Sequence, residues 1–380
     1  MKQDTKIIHG YEMIDEYTGA ASIPKFQAST FHQKDIFSNQ KFVYSRFGNP
    51  TISAAENAVS CLENGDYGLA FSSGMAAISS VLLLLSAGEH IILCNDIYGG
   101  TYCIVRDFLK RFGIEVTFVD EENIDEWEEQ IKENTKMIYI ETPSNPLLKI
   151  TDIKKIAQIA KNHDLLSICD NTFMTPYYQK PLDLGVDVVI HSATKFLNGH
   201  SDVVAGFVVT NNKELEKKIR LQQINLGGIL GVEDAWLLMR GLKTLSVRME
   251  KSEKSARAIA KYLSSHPKVK KVYHPSLAEH KGKKIQENQA DGYGSVLSFE
   301  LMSQRQVVQL FNSLRYPLVA VSLGGVESIV SYPWSMSHGA MSPYEKEKRG
   351  VTESLVRFSV GIENLEDLIL DLDQALNSIE

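Results

Sequence analysis

VDVVIHSATKFLNGH, residues 186–200, sets an apolar run against Ser192, Thr194 and Lys195. Five residues dominated by valine and isoleucine read as a strand buried on both faces. A lysine at the end of such a strand is costly unless something pairs with it or changes its chemistry, and two hydroxyls flank this one.

Outward from this segment the same texture repeats. YGLAF (67–71), HIILCN (90–95), EVTFVD (115–120), MIYIE (137–141) and LLSICD (165–170) are short apolar runs. Between them lie helical periods, AAISSVLLLLSA (76–87), IVRDFLKRFG (104–113) and DIKKIAQIAKNH (152–163). Strands separated by helices predict parallel crossovers, hence a doubly wound α/β layer. Beyond Trp236 the pattern changes to a long helical stretch, SVRMEKSEKSARAIAKYLSSH (246–266), then KVKKVYHP, SVLSFEL, and helices over QVVQLFNSL and NLEDLILDLDQALNSI. That texture fits a smaller α+β unit, with a hinge at 236–250. The reading is an irregular arm over 1–45, a large domain over 46–240 and a C-terminal α+β domain over 241–380.

The bulk numbers exclude several classes. With 380 residues and 43% hydrophobic content the chain buries a large core, and a formal charge of −7 argues against nucleic-acid and acidic-membrane partners. KVKK (268–271) and KGKK (281–284) are short enough to be solvated faces. Cys61, Cys94, Cys103 and Cys169 lack metal-finger spacing and read as reduced, buried thiols. His191 and His200 are too far apart for a one-turn metal pair, so no metal is expected. The N-terminus lacks a basic start and an apolar core, and VLLLL (81–85) is too short to span a bilayer; a cytoplasmic location is the expectation.

In an open parallel sheet, ligands bind outside the carboxyl ends of the strands. There the sequence places Ser72, Ser73, Gly74 and Met75 before a helix; Asp96, Tyr98, Gly99 and Gly100; Glu141 through Pro146; Asp170, Asn171 and Thr172; and HSATK. Singly these are an N-cap, a half-buried tyrosine and turn residues. Together they offer a phosphate cradle, a flat aromatic, a carboxylate and a lysine, and pyridoxal phosphate (PLP) needs all four. A dinucleotide reading is poorer, because LGGILG (226–231) has the wrong spacing and no GxxxxGK[ST] occurs.

Nine segments in one order carry a resemblance: YSRFGNPT (44–51), FSSGMAAI (71–78), DIYGGTY (96–102), ETPSNP (141–146), DNTF (170–173), HSATKFLNGHSD (191–202), LGG (226–228), SLGGVES (322–328) and RFSVGIE (357–363). Over nearly its whole length the chain resembles the trans-sulfuration enzymes, the PLP-dependent cystathionine lyases and synthases. The resemblance implies the aminotransferase-like fold, fold type I, with Lys195 carrying the cofactor. It implies that Ser192, Thr194, Gly74 and Met75 hold the phosphate, that Asp170 pairs with the pyridine nitrogen, and that Tyr98 stacks on the ring. Asn145, Ser322 and Arg357 are implied to bind the substrate near its α-carboxylate. Tyr44 and Arg46 are implied to reach into a second protomer's site, giving a homodimer with shared active sites and, by pairing, a tetramer. Lys195 is then the general base, with Tyr98 and Tyr44 assisting proton transfer.

Val321 stands where several γ-cleaving and synthase relatives resemble one another in having glutamate, and Gly100 where methionine γ-lyases have cysteine; SYPWSMSH (331–338) looks like bacterial β-lyases. The expected activity is cystathionine β-lyase, acting on a small sulfur-containing amino acid. The alternatives are cystathionine γ-lyase or γ-synthase and, remotely, a non-catalytic protein of the same fold. Trp334 is left between the substrate entrance and interdomain packing, and His338 is expected to be a structural hydrogen bonder.

Overall fold

Six apolar runs of the sequence become strands of one sheet in the computed structural model, which describes residues 1–380. They are β1 (Tyr67–Phe71), β2 (His90–Cys94), β3 (Glu115–Val119), β4 (Thr135–Glu141), β5 (Leu166–Asp170) and β6 (Val188–Ser192). The seventh, β7 (Gly206–Thr210), was not anticipated and is the one antiparallel member, inserted between β1 and β6 in the order β1-β7-β6-β5-β4-β2-β3. Its direction has a simple cause. A parallel return needs a crossover, usually a helix, whereas the chain between β6 and β7 is the turn-rich segment carrying Lys195, which reverses direction.

Strand residues alternate between two cores. Leu69, Phe71, Val188, Ile190 and Val208 enter one, with Ile78, Val81 and Trp127; Ala70, Val189, Phe207 and Val209 enter the other, with Ala55, Val59 and Leu238. Burial on both faces is why these strands read as continuous apolar runs.

A five-stranded sheet follows, β8 (Lys271–Tyr273), β9 (Val296–Glu300), β10 (Leu318–Val319), β11 (Ile329–Ser331) and β12 (Leu355–Ser359), in the order β10-β11-β12-β9-β8. The helix Leu245–Ser264 spans two cores: Leu245 and Met249 pack beneath the first sheet, Ala256, Ile259 and Leu263 beneath the second. Between them Arg248 donates to the carbonyls of Phe196 (2.6 Å), Leu197 (3.3 Å) and Gly241 (3.0 Å). Gly199, at φ +74°, must be glycine here, since a Cβ would fall 2.0 Å from Arg248 Nη1.

Several expectations need correction. The first 45 residues are not wholly irregular: α1 (Gln3–His9) forms because Ile7 is buried in the second core. The segment 104–113 is not a regular α-helix but a π turn (Ile104–Phe108) running into a 3₁₀ turn (Leu109–Phe112), with Val105 and Leu109 both fully buried. The helix α2 (Pro50–Leu62), with Asn49 accepting from the Thr51 N–H and proline in its first turn, was unread. Of the four free thiols only Cys94 and Cys169 are buried; Cys61 and Cys103 are half-buried. No helix is long and apolar enough to cross a membrane.

Candidate active site

A cavity of about 450 Å³ lies at the carboxyl ends of the strands. One wall is the first turn of α3 (Gly74–Leu82), whose cap, Ser73, accepts the Ala76 N–H at 3.0 Å. A Cβ at Gly74 would lie 2.8 Å from the Ser192 Cβ and 2.9 Å from its Oγ. Glycine therefore lets the helix start close on the end of β6, with the unpaired N–H groups of the first turn beside the Ser192 hydroxyl. That is a cradle for a phosphate. Thr194 also lines the cavity, its hydroxyl bonded to the backbone of Ala205.

On the strand ends sit two carboxyl groups. Asp170 (β5) and Glu141 (β4) are direct partners in the parallel register, and both are buried. Burial raises both, Glu141 well above the carboxylate range with the charge of Asp170 adding to it; at Asp170 the rise is opposed by hydrogen bonds from Thr172 and by the field of His191. Glu141 also accepts the Tyr98 N–H at 2.8 Å, which fixes the start of the segment bearing that ring. Next to it, a Cβ at Gly100 would come within 2.5 Å of the Tyr98 ring and 2.7 Å of Met75 Sδ, so a cysteine there would require the ring to shift.

From the second sheet comes Arg357, buried on β12 and pushed down to about 10 by burial. Its guanidinium donates to Asn145 Oδ1 at 2.9 Å and the Ser322 carbonyl at 2.7 Å, while Nε has no partner. An amide and a backbone carbonyl leave this buried cation short of an anion. Lys195 Nζ donates to Ser322 Oγ at 2.7 Å; burial, helped by Arg357, lowers its amine to about 8. Ser322 holds a positive φ of 86°, uncommon for a residue other than glycine, at the point where the two sheets meet the cavity.

Ten of the twelve residues expected from sequence thus line one cavity: Gly74, Met75, Tyr98, Asn145, Asp170, Ser192, Thr194, Lys195, Ser322 and Arg357. Tyr44 and Arg46 do not line it. Tyr44 is 39% exposed, and Arg46 donates to the Ile224 carbonyl at 3.0 Å with its guanidinium 5.7 Å from the Tyr44 ring. Glu141, named at a strand end from the sequence but given no role there, proves to be the buried register partner of Asp170. Trp334 does not line the cavity but lies under Lys346 Nζ at 4.7 Å, and His338 is buried with Nδ1 2.9 Å from Ser337 Oγ, its imidazole pushed down to about 3 by burial and nearby cations.

Residues 4–377 match the family described as Cys/Met metabolism PLP-dependent enzyme. Cystathionine beta-lyase MetC of Bacillus subtilis (strain 168) is 52% identical over 99% of this chain and 96% of that protein. A cystathionine gamma-lyase of the same organism is 48% identical, with both chains fully covered. Among solved structures, cystathionine gamma-lyase from Lactobacillus plantarum complexed with L-serine superposes with a TM-score of 0.98 at 46% identity, covering 100% of this chain and 99% of that one. With a phosphate cradle, a lysine and a buried acid converging in one cavity, the chain belongs to the PLP-dependent enzymes of cysteine and methionine metabolism and has their fold, fold type I.

Proposed function

We propose that this enzyme is a carbon–sulfur lyase acting on cystathionine, and that it cleaves at the β-carbon to give homocysteine, pyruvate and ammonia. The supporting observation is the lining of the cavity: its titratable side chains are Tyr98, Glu141, Asp170, Lys195 and Arg357, and Val321, 63% exposed, adds an apolar side chain beside Ser322. Elimination from Cβ needs one proton removed from the α-carbon and one delivered to sulfur, within the capacity of this set. Cleavage at Cγ requires a further deprotonation, at Cβ.

The residues present fit PLP: the Gly74 and Ser192 cradle suits its phosphate, Asp170 its ring nitrogen, Tyr98 its ring face and Lys195 its carbonyl carbon. When bound, the cofactor supplies an electron sink that stabilises charge developing at the substrate's α-carbon. Arg357 receives the α-carboxylate on its unpaired edge, and Asn145 and Ser322 hold that guanidinium in place. Lys195 would take the α-proton on Nζ; lowered to about 8, its amine has a usable neutral fraction near neutral pH. Asp170 keeps a proton at the ring nitrogen. Tyr98, whose phenol is raised by burial and so stays protonated, is placed to donate to the departing sulfur.

Tyr44 and Arg46 of a second copy complete the site in this reading, which makes the functional unit at least a dimer located in the cytoplasm. The arm (1–45), large (46–240) and C-terminal (241–380) units are its proposed divisions. A γ-lyase reading is favoured by two likenesses, the 0.98 TM-score to the Lactobacillus plantarum enzyme of that name and the 48% identity to the Bacillus subtilis one. The deciding experiment is incubation with L-cystathionine and chromatography of the keto acid. Pyruvate with homocysteine is expected; 2-oxobutyrate with cysteine would transfer the enzyme to the γ class.

A further inference from the structure

Glu63 follows the last residue of α2, where the helix's own carbonyls disfavour a negative charge, and its side chain is fully buried. Its Oε1 lies 2.5 Å from His191 Nε2 and accepts the Asn171 Nδ2–H at 2.8 Å, whereas Oε2 and His191 Nδ1 have no partner. A buried pair so incompletely satisfied is a poor stabilising device, and apolar side chains of similar volume would serve the core as well.

Its neighbours explain it better. His191 precedes Ser192 on β6, and Asn171 follows Asp170 at the end of β5. Successive side chains point to opposite faces, so Ser192 and Asp170 line the cavity while His191 and Asn171 meet behind it at one oxygen atom. The network continues: Asn171 Nδ2 donates to the Gln179 carbonyl at 2.8 Å, and Gln179 Nε2 donates to Asn171 Oδ1 and to the carbonyl of Thr142, both at 3.0 Å. Thr142 follows Glu141 at the end of β4. One buried chain of hydrogen bonds therefore crosses behind three strand ends.

We infer that Glu63 is a positioning residue for the cofactor: its Oε1 locks the ends of β5 and β6 at the spacing at which Asp170 and Ser192 grip one ligand. This rests on the proposed roles of Asp170 and Ser192 in holding PLP. The test is titration of full-length apoprotein with PLP, followed by absorbance, together with melting of the apo and PLP-bound forms. Glu63→Leu should bind PLP at least about 10-fold more weakly, in the range typical of lost supporting hydrogen bonds. Glu63→Gln, whose amide oxygen still accepts both donors, should stay within about 3-fold of wild type. The rise in Tm on adding PLP should shrink in Glu63→Leu, which a purely structural role would not produce, because that would lower both forms equally. Unchanged PLP affinity in a folded Glu63→Leu protein overturns the inference, and so does an equal loss in Glu63→Gln. Should Glu63→Leu fail to fold, His191→Leu removes one of the two contacts and must itself weaken PLP binding several-fold; no change there is equally fatal. Asp170→Ala is the control: if it too binds PLP normally, the cofactor assignment has failed, a pattern distinct from failure at Glu63 alone.

Discussion

At the cavity, Asp170, Glu141 and Arg357 are 6%, 5% and 3% exposed and bonded to named neighbours, whereas in the first 45 residues Tyr17, Ile36 and Phe37 are 96%, 91% and 88% exposed. Ionisable groups are inside and apolar groups outside, the reverse of what solvation favours in each region. The contrast supports the proposal that each region is completed by something outside the isolated chain. In that proposal the ionisable groups of the cavity meet a ligand and the apolar surface of the arm meets a second copy of the chain.

The largest effect should come from the cavity. Lys195→Ala should cut turnover by at least about 10³-fold with the circular dichroism spectrum unchanged, since the proposed base and the proposed cofactor anchor are lost together. Elimination surviving within tenfold of wild type would remove Lys195 from the mechanism. Next is Arg357→Leu, where losing a buried charge-assisted contact should lower kcat/KM for cystathionine by about 100-fold. If KM is unmoved, the α-carboxylate binds elsewhere.

The arm is tested by complementation. Arg46→Ala and Arg357→Leu chains, each impaired alone, should recover up to about a quarter of wild-type sites when mixed and reassembled, because half of random dimers are hybrids with one intact site. No recovery would confine the arm to its own chain and dissolve the comparison. The smallest effect concerns preorganisation. Buried Asp96 accepts from Ser144 Oγ and from the Leu147 N–H, joining the segments that carry Tyr98 and Asn145, and burial followed by repulsion from Glu121 raises it from 3.8 to about 7. The native state then binds more protons than the unfolded state between these values, so Asp96 makes stability fall as pH rises through that window. Asp96→Asn should flatten the decline of Tm between pH 4 and pH 7 by a few degrees; an unchanged slope would mean that Asp96 is ionised throughout.

Much of this was legible because the site is built from strand ends. A buried strand announces itself by composition, and whatever polar residue follows it is forced to the carboxyl edge of the sheet; Asp170, Tyr98, Asn145 and Lys195 were found in this way. Glu63 carried no such signal, since it sits after a helix and reaches β6 only through the fold. β7 was hidden for a different reason. GFVVT is separated from β6 by 13 residues and follows the segment 191–202 that was read for its chemistry, and its antiparallel direction depends on the turn that the Lys195 loop makes. The π turn at 104–108 defeats periodicity itself, because an apolar pattern near 3.6 does not distinguish a widened turn from a regular one.

Arg248 deserves a mechanical reading. It bolts the helix that runs through both cores onto the carbonyls one and two residues beyond Lys195. The first half of that helix and the lysine loop form a single rigid fitting, like a rod clamped at a bracket. Lys195 and Arg357 thus reach one cavity from differently anchored parts, the lysine from the clamped loop and the arginine from β12 of the five-stranded layer.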